Sequence, residues 1–274
     1  MQGPRCLECG ATLAGRFCHA CGQKRIEPSE RTLRHFAGQL FGALTDFDSR
    51  LLRSLAALVL RPGLLGAEWL AGRRSRWLSP LALFLIVNLI YFIAPPMSDF
   101  NLSLGEQSQQ WYGPWAQELV AARLAARGID QAAYAHAFAL ETYSLAKLLV
   151  ILHALLLAPV LWLLHWRRGI PLVDHLAVAL HLVAFALLVM MLFAQGATLW
   201  YALFAGPSGG ELPLAWKLGL LAALGYGFGA TLRRAYGQPI WLASLKAPLA
   251  LIGAIAGHLW VYRALLFLLA FALS

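Results

Sequence analysis

The four cysteines fall in two short runs, Cys6-Leu-Glu-Cys9-Gly10 and Cys18-His-Ala-Cys21-Gly22, with eight residues between Cys9 and Cys18. Each C-x2-C turn aims two thiolates at one point, and the glycine after each pair eases the tight turn. Two such pairs complete a closed tetrahedral shell of four sulfurs, the donor set of structural Zn2+, with no position left for a substrate. Disulfide pairing is the alternative that a reducing cytoplasm disfavours. Iron held as in rubredoxin is one that spacing does not exclude. His19 is a conceivable substitute ligand, but four thiolates already fill the shell, so a solvated side chain is expected. A module this short has no apolar core, and its folding free energy is expected to come from the metal.

A second set of chemistry-bearing residues lies far along the chain. Counting from the ends of the apolar stretches puts Asn88, His153 and His258 near mid-depth of three different spans, where they form a candidate polar layer. The plainer reading is that each bonds a neighbouring backbone carbonyl as packing glue; haem ligation by the two histidines has no further signature behind it. Asp174 and His175 stand alone at a span end. No convergent Asp/Glu/His set reads as catalytic, so the chain is expected not to be an enzyme.

These groups must be positioned by helices in a bilayer. Hydrophobic residues make up 60% of the 274, charged residues 13%, and the mean hydropathy is +0.64, more apolar surface than one soluble core can hide. The pattern predicts an all-α integral membrane protein with about five transmembrane helices, an N-terminal four-cysteine zinc knuckle and a juxtamembrane amphipathic helix. The expected divisions are a knuckle at 1–26, a basic amphipathic segment at 27–77 and a transmembrane domain at 78–274. The spans are read at about 78–94, 144–164, 173–204, 212–232 and 245–273. Pro95-Pro96, the Arg167-Arg168 loop with Pro171, and Gly206-Pro207 supply the breaks. The last stretch exceeds one perpendicular crossing, so it is either tilted or ends near Arg263 with an interfacial tail.

Charge distribution orients the spans. Of 22 Lys and Arg, twelve precede the first span, and Arg167, Arg168, Arg233, Arg234 and Lys246 flank alternate connections. With no signal-peptide pattern at the start, the N-terminus is expected in the cytoplasm and the C-terminus outside. The net charge of +9 then reflects topology and contact with anionic headgroups, above all through Arg73, Arg74 and Arg76, and not nucleic acid. The acidic loop 98–142 falls outside, where residues 115–142 read as a helical cap and Trp111, Tyr112 and Trp115 as its aromatic anchors. An Arg263 to Glu141 ion pair, or snorkelling, accounts for that arginine. From Leu33 to Leu58, leucines and phenylalanines recur every three or four residues, an amphipathic helix, or two broken near Asp46 to Asp48, suited either to the headgroup layer or to packing on the protein's own spans. Gly225 with Gly229 and Gly253 with Gly257 predict close packing of the last two spans, and homo-oligomers are compatible with them.

The paired CxxCG knuckles followed by Gln23-Lys24, then Phe47-Asp48, Arg61-Pro62-Gly63 and Gly72-Arg73-Arg74-Ser-Arg-Trp-Leu-Ser-Pro80, resemble a bacterial family of zinc-ribbon, multi-pass inner-membrane proteins of unknown function. The resemblance is densest over residues 6–94. It implies a bacterial inner-membrane location and brings no activity. The function expected is a non-enzymatic adaptor or regulator whose cytoplasmic zinc knuckle docks a protein partner. The alternative is a small-molecule or ion transporter using the polar layer, although no inverted repeat or broken pair of spans accompanies it.

Overall fold

The computed structural model describes residues 4–25, 49–93, 100–205 and 213–274. Outside the knuckle the described residues form helices joined by turns and short loops, and in the knuckle two isolated antiparallel bridges, Arg5 with Thr12 and Phe17 with Lys24, tie two small loops. In chain order the helices are α1 (Ser49–Leu60), α2 (Leu64–Leu70), α3 (Pro80–Ile93), α4 (Leu104–Gln107), α5 (Gly113–Arg127), α6 (Gln131–Leu149), α7 (Ile151–His165), α8 (Leu172–Trp200), α9 (Leu214–Ala235), α10 (Ile240–Ala256) and α11 (Arg263–Leu273).

The bundle is organised around α8. This helix is apolar on every side, as a helix enclosed by others must be, and Leu176 to Leu182 are all buried. It packs against α3, α7, α9, α2 and α1. The outer helices instead turn Leu218, Leu221, Trp241, Leu245 and Ile252 outward, fully half exposed or more. So much apolar surface on the outside is what a lipid-facing wall presents.

Among the described residues, two helices are long and apolar enough to cross a membrane, Leu172–Leu203 and Ile240–Leu273, and they mark the chain as a membrane protein. A third candidate is the pair Gln131–Leu149 and Ile151–Arg168, bent by 43°. The Val150 carbonyl at that bend accepts from the His153 N–H three residues on, at 3.1 Å, and from the ring Nδ1 of the same residue, at 3.0 Å. A side chain inserted into the backbone ladder is a known cause of a kink. α3 has 14 residues, about 21 Å of helix, short of the roughly 30 Å of hydrocarbon. α9 carries Lys217, Arg233 and Arg234 and is less apolar than α8 and α10.

Ile240–Leu273 is 34 residues, about 51 Å long, so it extends well past one bilayer core. Its last turns are not an interfacial tail free of the protein. Phe267 and Ala270 are buried with Tyr112, Ala116, Val120, Tyr134 and Phe138 in an aromatic cluster built from α5, α6 and α11. The Tyr112 hydroxyl donates to the Arg263 carbonyl at 2.9 Å and also meets the Gln107 side-chain amide, Trp111 stacks on Trp260, and Arg123 lies over the Phe271 ring. Arg263 reaches Gln110 Oε1 at 2.9 Å instead of the expected Glu141.

α1 resolves part of the amphipathic question. Ala57 and Leu58 are buried in the main core, Leu51, Leu55 and Val59 pack against it, and Ser54 Oγ accepts from the Leu78 N–H at 3.1 Å. This helix packs on the protein's own spans, with Leu52 and Leu60 left outward. The stretch from Leu33 to Asp48, and the breaks at Pro95-Pro96 and Gly206-Pro207, lie outside the described residues. The turn after α1 needs Gly63 at φ 85°, where a Cβ would stand 2.5 Å from the Thr231 Cα. Only glycine lets this loop meet α9 so closely.

α9 and α10 pack together as expected, with Gly229 facing the Ala247 Cβ, but the other three glycines do not make that contact. Gly253 and Gly257 face Val160 and Leu156 of α7, while the space beside Gly225 is open. Small residues permit close approach, but the partner helix is set by the whole packed face.

Candidate metal centre and buried polar sites

Each half of the knuckle closes on itself in the same way. Gly10 N–H bonds the Cys6 carbonyl and Gly22 N–H the Cys18 carbonyl, both at 2.9 Å, with positive φ at both glycines (77° and 74°). These two turns bring the four Sγ atoms within 4.8 Å of one another, with Cys6 to Cys21 at 3.6 Å and Cys9 to Cys18 at 3.5 Å. Tetrahedral bonds of about 2.3 Å require sulfurs roughly 3.8 Å apart. The donor set fits one metal ion, and all four thiols are free of disulfides. The Ala20 backbone N–H draws the Cys18 thiol down to about 6, against the opposing effect of burial. His19 is exposed to solvent.

The knuckle is clamped to the basic loop that follows α2. Gln23 is buried, and its amide works in both directions: Nε2 donates to the Gly72 carbonyl at 2.6 Å, and Oε1 accepts from the Arg74 N–H at 3.4 Å. Arg76 Nε reaches Glu8 Oε1 at 2.8 Å, on a glutamate side chain that is only 3% exposed. Arg73 forms a forked pair with Glu68, whose carboxyl is held below its ordinary value by those hydrogen bonds. Arg74 lies over the Trp69 ring, 3.5 Å from its centre, and 3.9 Å from Asp174. All three arginines expected at the headgroups therefore have carboxylate partners within the chain.

From Arg74 the polar contacts continue into the bundle. Trp69 Nε1 donates to Asp174 Oδ1 at 3.1 Å, in the first turn of α8, where a carboxylate complements the helix dipole. The next residue, His175, joins the Tyr236 hydroxyl at 2.8 Å, and the Tyr236 ring stacks on His165 at 3.8 Å. Arg168 donates to the Tyr236 carbonyl, and Arg234 to the Pro62 carbonyl at 2.6 Å. Asp174 and His175, read from the sequence as solitary, belong to a buried constellation drawn from α2, the basic loop, α7, α8 and the turn after α9. No local pattern announces it, since Trp69 and Asp174, its bonded pair, are 105 residues apart.

The three polar residues placed at mid-depth divide. His153 Nε2 and His258 Nδ1 are 2.9 Å apart, with Phe100 edge-on to both rings and Tyr262 tilted against His153 and stacked on His258. The Val150 carbonyl can only accept, so a neutral His153 carries its proton on Nδ1 and receives one from His258. Direct contact leaves no space for an iron between them. His258 sits in a π-helical turn, Gly257–Tyr262, a distortion often found where a helix presents a functional side chain. Asn88 joins neither histidine; it donates to the Lys147 carbonyl at 2.8 Å, in the manner of packing glue. His181, buried in the middle of α8, was not singled out from the sequence.

No curated protein and no solved structure matches the chain. Residues 48–92, which hold α1, α2, the basic loop and nearly all of α3, match a family described as protein of unknown function (DUF3667).

Proposed function

We propose that the chain is a non-enzymatic adaptor or regulator of the bacterial inner membrane. Its cysteines hold a structural Zn2+, and the metal supplies the cross-link that folds the knuckle. It crosses the bilayer five times, with α3, the α6–α7 pair, α8, α9 and the α10–α11 helix as spans, the N-terminus in the cytoplasm and the C-terminus outside. Supporting this orientation, the basic connections around Arg76, Arg168 and Arg234 gather at one end of the helices, while the C-terminal residues meet α5 and α6 at the other. Arg73, Arg74 and Arg76 lie at the cytoplasmic headgroup level.

The observation that carries the reading is the Gln23 clamp, which makes the knuckle part of the membrane domain's surface instead of a tethered bead. Its outer side carries Leu7 and Phe17, 59% and 62% exposed, on a module too small to need them for a core. These two side chains are the partner-docking face. Crosslinking in cells should capture a partner with the wild-type chain and lose it in a Leu7→Ser, Phe17→Ser variant that keeps its metal and its membrane insertion. An unchanged set of crosslinked proteins overturns the reading.

The His153–His258 contact favours a second reading, a transporter with a mid-membrane polar site. Exchanging both histidines for leucine should then abolish uptake of a substrate in a deletion strain, whereas the adaptor reading expects uptake to be unchanged.

A further inference from the structure

α9 and α10 are joined by a short turn and pack together, yet a trough of about 660 Å³ runs between them on the outer face of the bundle. Its floor is made of small residues, Gly225, Gly229, Ala243 and Ala247. A Cβ placed on Gly225 would meet nothing within 4 Å, and one on Gly229 would meet only the Ala247 Cβ at 3.8 Å. Arg233 and Arg234 line one end, both exposed, and Leu221 lines the other. From Leu221 to Arg233 the helix rises about 18 Å, close to the roughly 15 Å depth of one leaflet's hydrocarbon.

We infer that this trough is a binding site for one anionic phospholipid of the cytoplasmic leaflet, its acyl chain along Gly225 and Gly229 and its phosphate at Arg233 and Arg234. The proposal rests on α9 being a membrane span. Charge selects the occupant: an apolar slot of one-leaflet depth closed by two guanidinium groups matches a chain that ends in a negative headgroup. A second copy of the protein packed here in parallel about a twofold axis would bring its own Arg233 and Arg234 against these two, a like-charge contact. Arg234 is already oriented by the Pro62 carbonyl, so the bound headgroup would lie beside the loop between α1 and α2.

The test is lipid retention by the purified full-length protein in detergent, read by native mass spectrometry with phosphatidylglycerol and phosphatidylcholine of identical acyl chains. The wild type should retain phosphatidylglycerol preferentially. Arg233→Gln should cut that preference about fivefold, and Gly225→Leu, which fills open space, should remove retention of both lipids. Equal retention of the two lipids by the wild type overturns the proposal, as does wild-type retention in both variants. Dimers that dissociate in Gly225→Leu would also overturn it, by making the trough an interface between copies. Labelling of single added cysteines, Leu214→Cys and Ile240→Cys, with a membrane-impermeant maleimide separates this from the span it rests on: labelling from opposite sides with no lipid preference overturns the lipid site alone, and labelling from the same side overturns the span.

Discussion

Residues 4–25 and the aromatic cap around Phe138 each close off one end of the helices, and they are held by opposite means. In the cap, Tyr134, Phe138, Phe267 and Ala270 are sealed from solvent by one another, and apolar burial supplies the stability. In the knuckle the buried residues are Cys6, Cys18 and Gln23, two metal-capable thiols and an amide already committed to the neighbouring loop. The cap is therefore a permanent part of the fold. On the function proposed above, the knuckle is conditional on its metal and on a few polar contacts, which is what a regulatory element needs and a structural one does not.

The largest expected effect breaks the conditional side. Cys6→Ser should eliminate the metal, which contributes roughly 10–16 kcal/mol to the folding of small four-ligand modules. Metal analysis should fall from one ion per chain to none, and limited proteolysis should cut at Arg16 and Lys24 while the cap stays intact. The converse substitution, Phe138→Ala, empties the centre of the cap at a cost of about 3–5 kcal/mol. Thermal unfolding in detergent should shift down with metal content unchanged. Loss of metal in that variant would mean the two ends are coupled.

Gln23→Ala sharpens the comparison by separating the clamp from the metal. Removing the amide costs about 1–3 kcal/mol of docking, because the Gly72 carbonyl loses its partner. Hydrogen exchange should speed up at Gly72 to Arg76 while metal content remains at one. The smallest effect is on the loop itself. Arg73 holds the Glu68 carboxyl below its ordinary value of 4.5. A lowered carboxylate contributes stability that is present above the ordinary value and lost as the pH falls through the lowered one. Protection of residues 68–76 should therefore weaken on acidification below about 4.5, and Glu68→Gln should remove that dependence.

How much of this was legible in the sequence depends on the range of the interaction. The four-cysteine cluster is local, and spacing alone predicts it. The span read at 173–204 is close to the helix Leu172–Leu203 because an all-round apolar run has one reading at that length. Residues 144–164 were less legible: the helix begins at Gln131, and the bend at Val150 depends on where the His153 ring points. The Gln23 clamp and the Trp69–Asp174–Tyr236 constellation join residues about 50 to more than 100 apart, and periodicity carries no information about such pairs. The glycine pairs were legible in part: α9 and α10 do pack, but Gly253 and Gly257 face α7, because small residues announce that a close neighbour is allowed, not which one.

The central claim is that the knuckle is docked on the basic loop only while it holds metal. Hydrogen exchange of the full-length protein in detergent, with and without a chelator, tests it most directly. Chelation should release protection at Cys6 to Gln23 and at Gly72 to Arg76 together, leaving Tyr134 to Phe138 unchanged. Undiminished protection at Gly72 to Arg76 after the metal is gone would contradict the account.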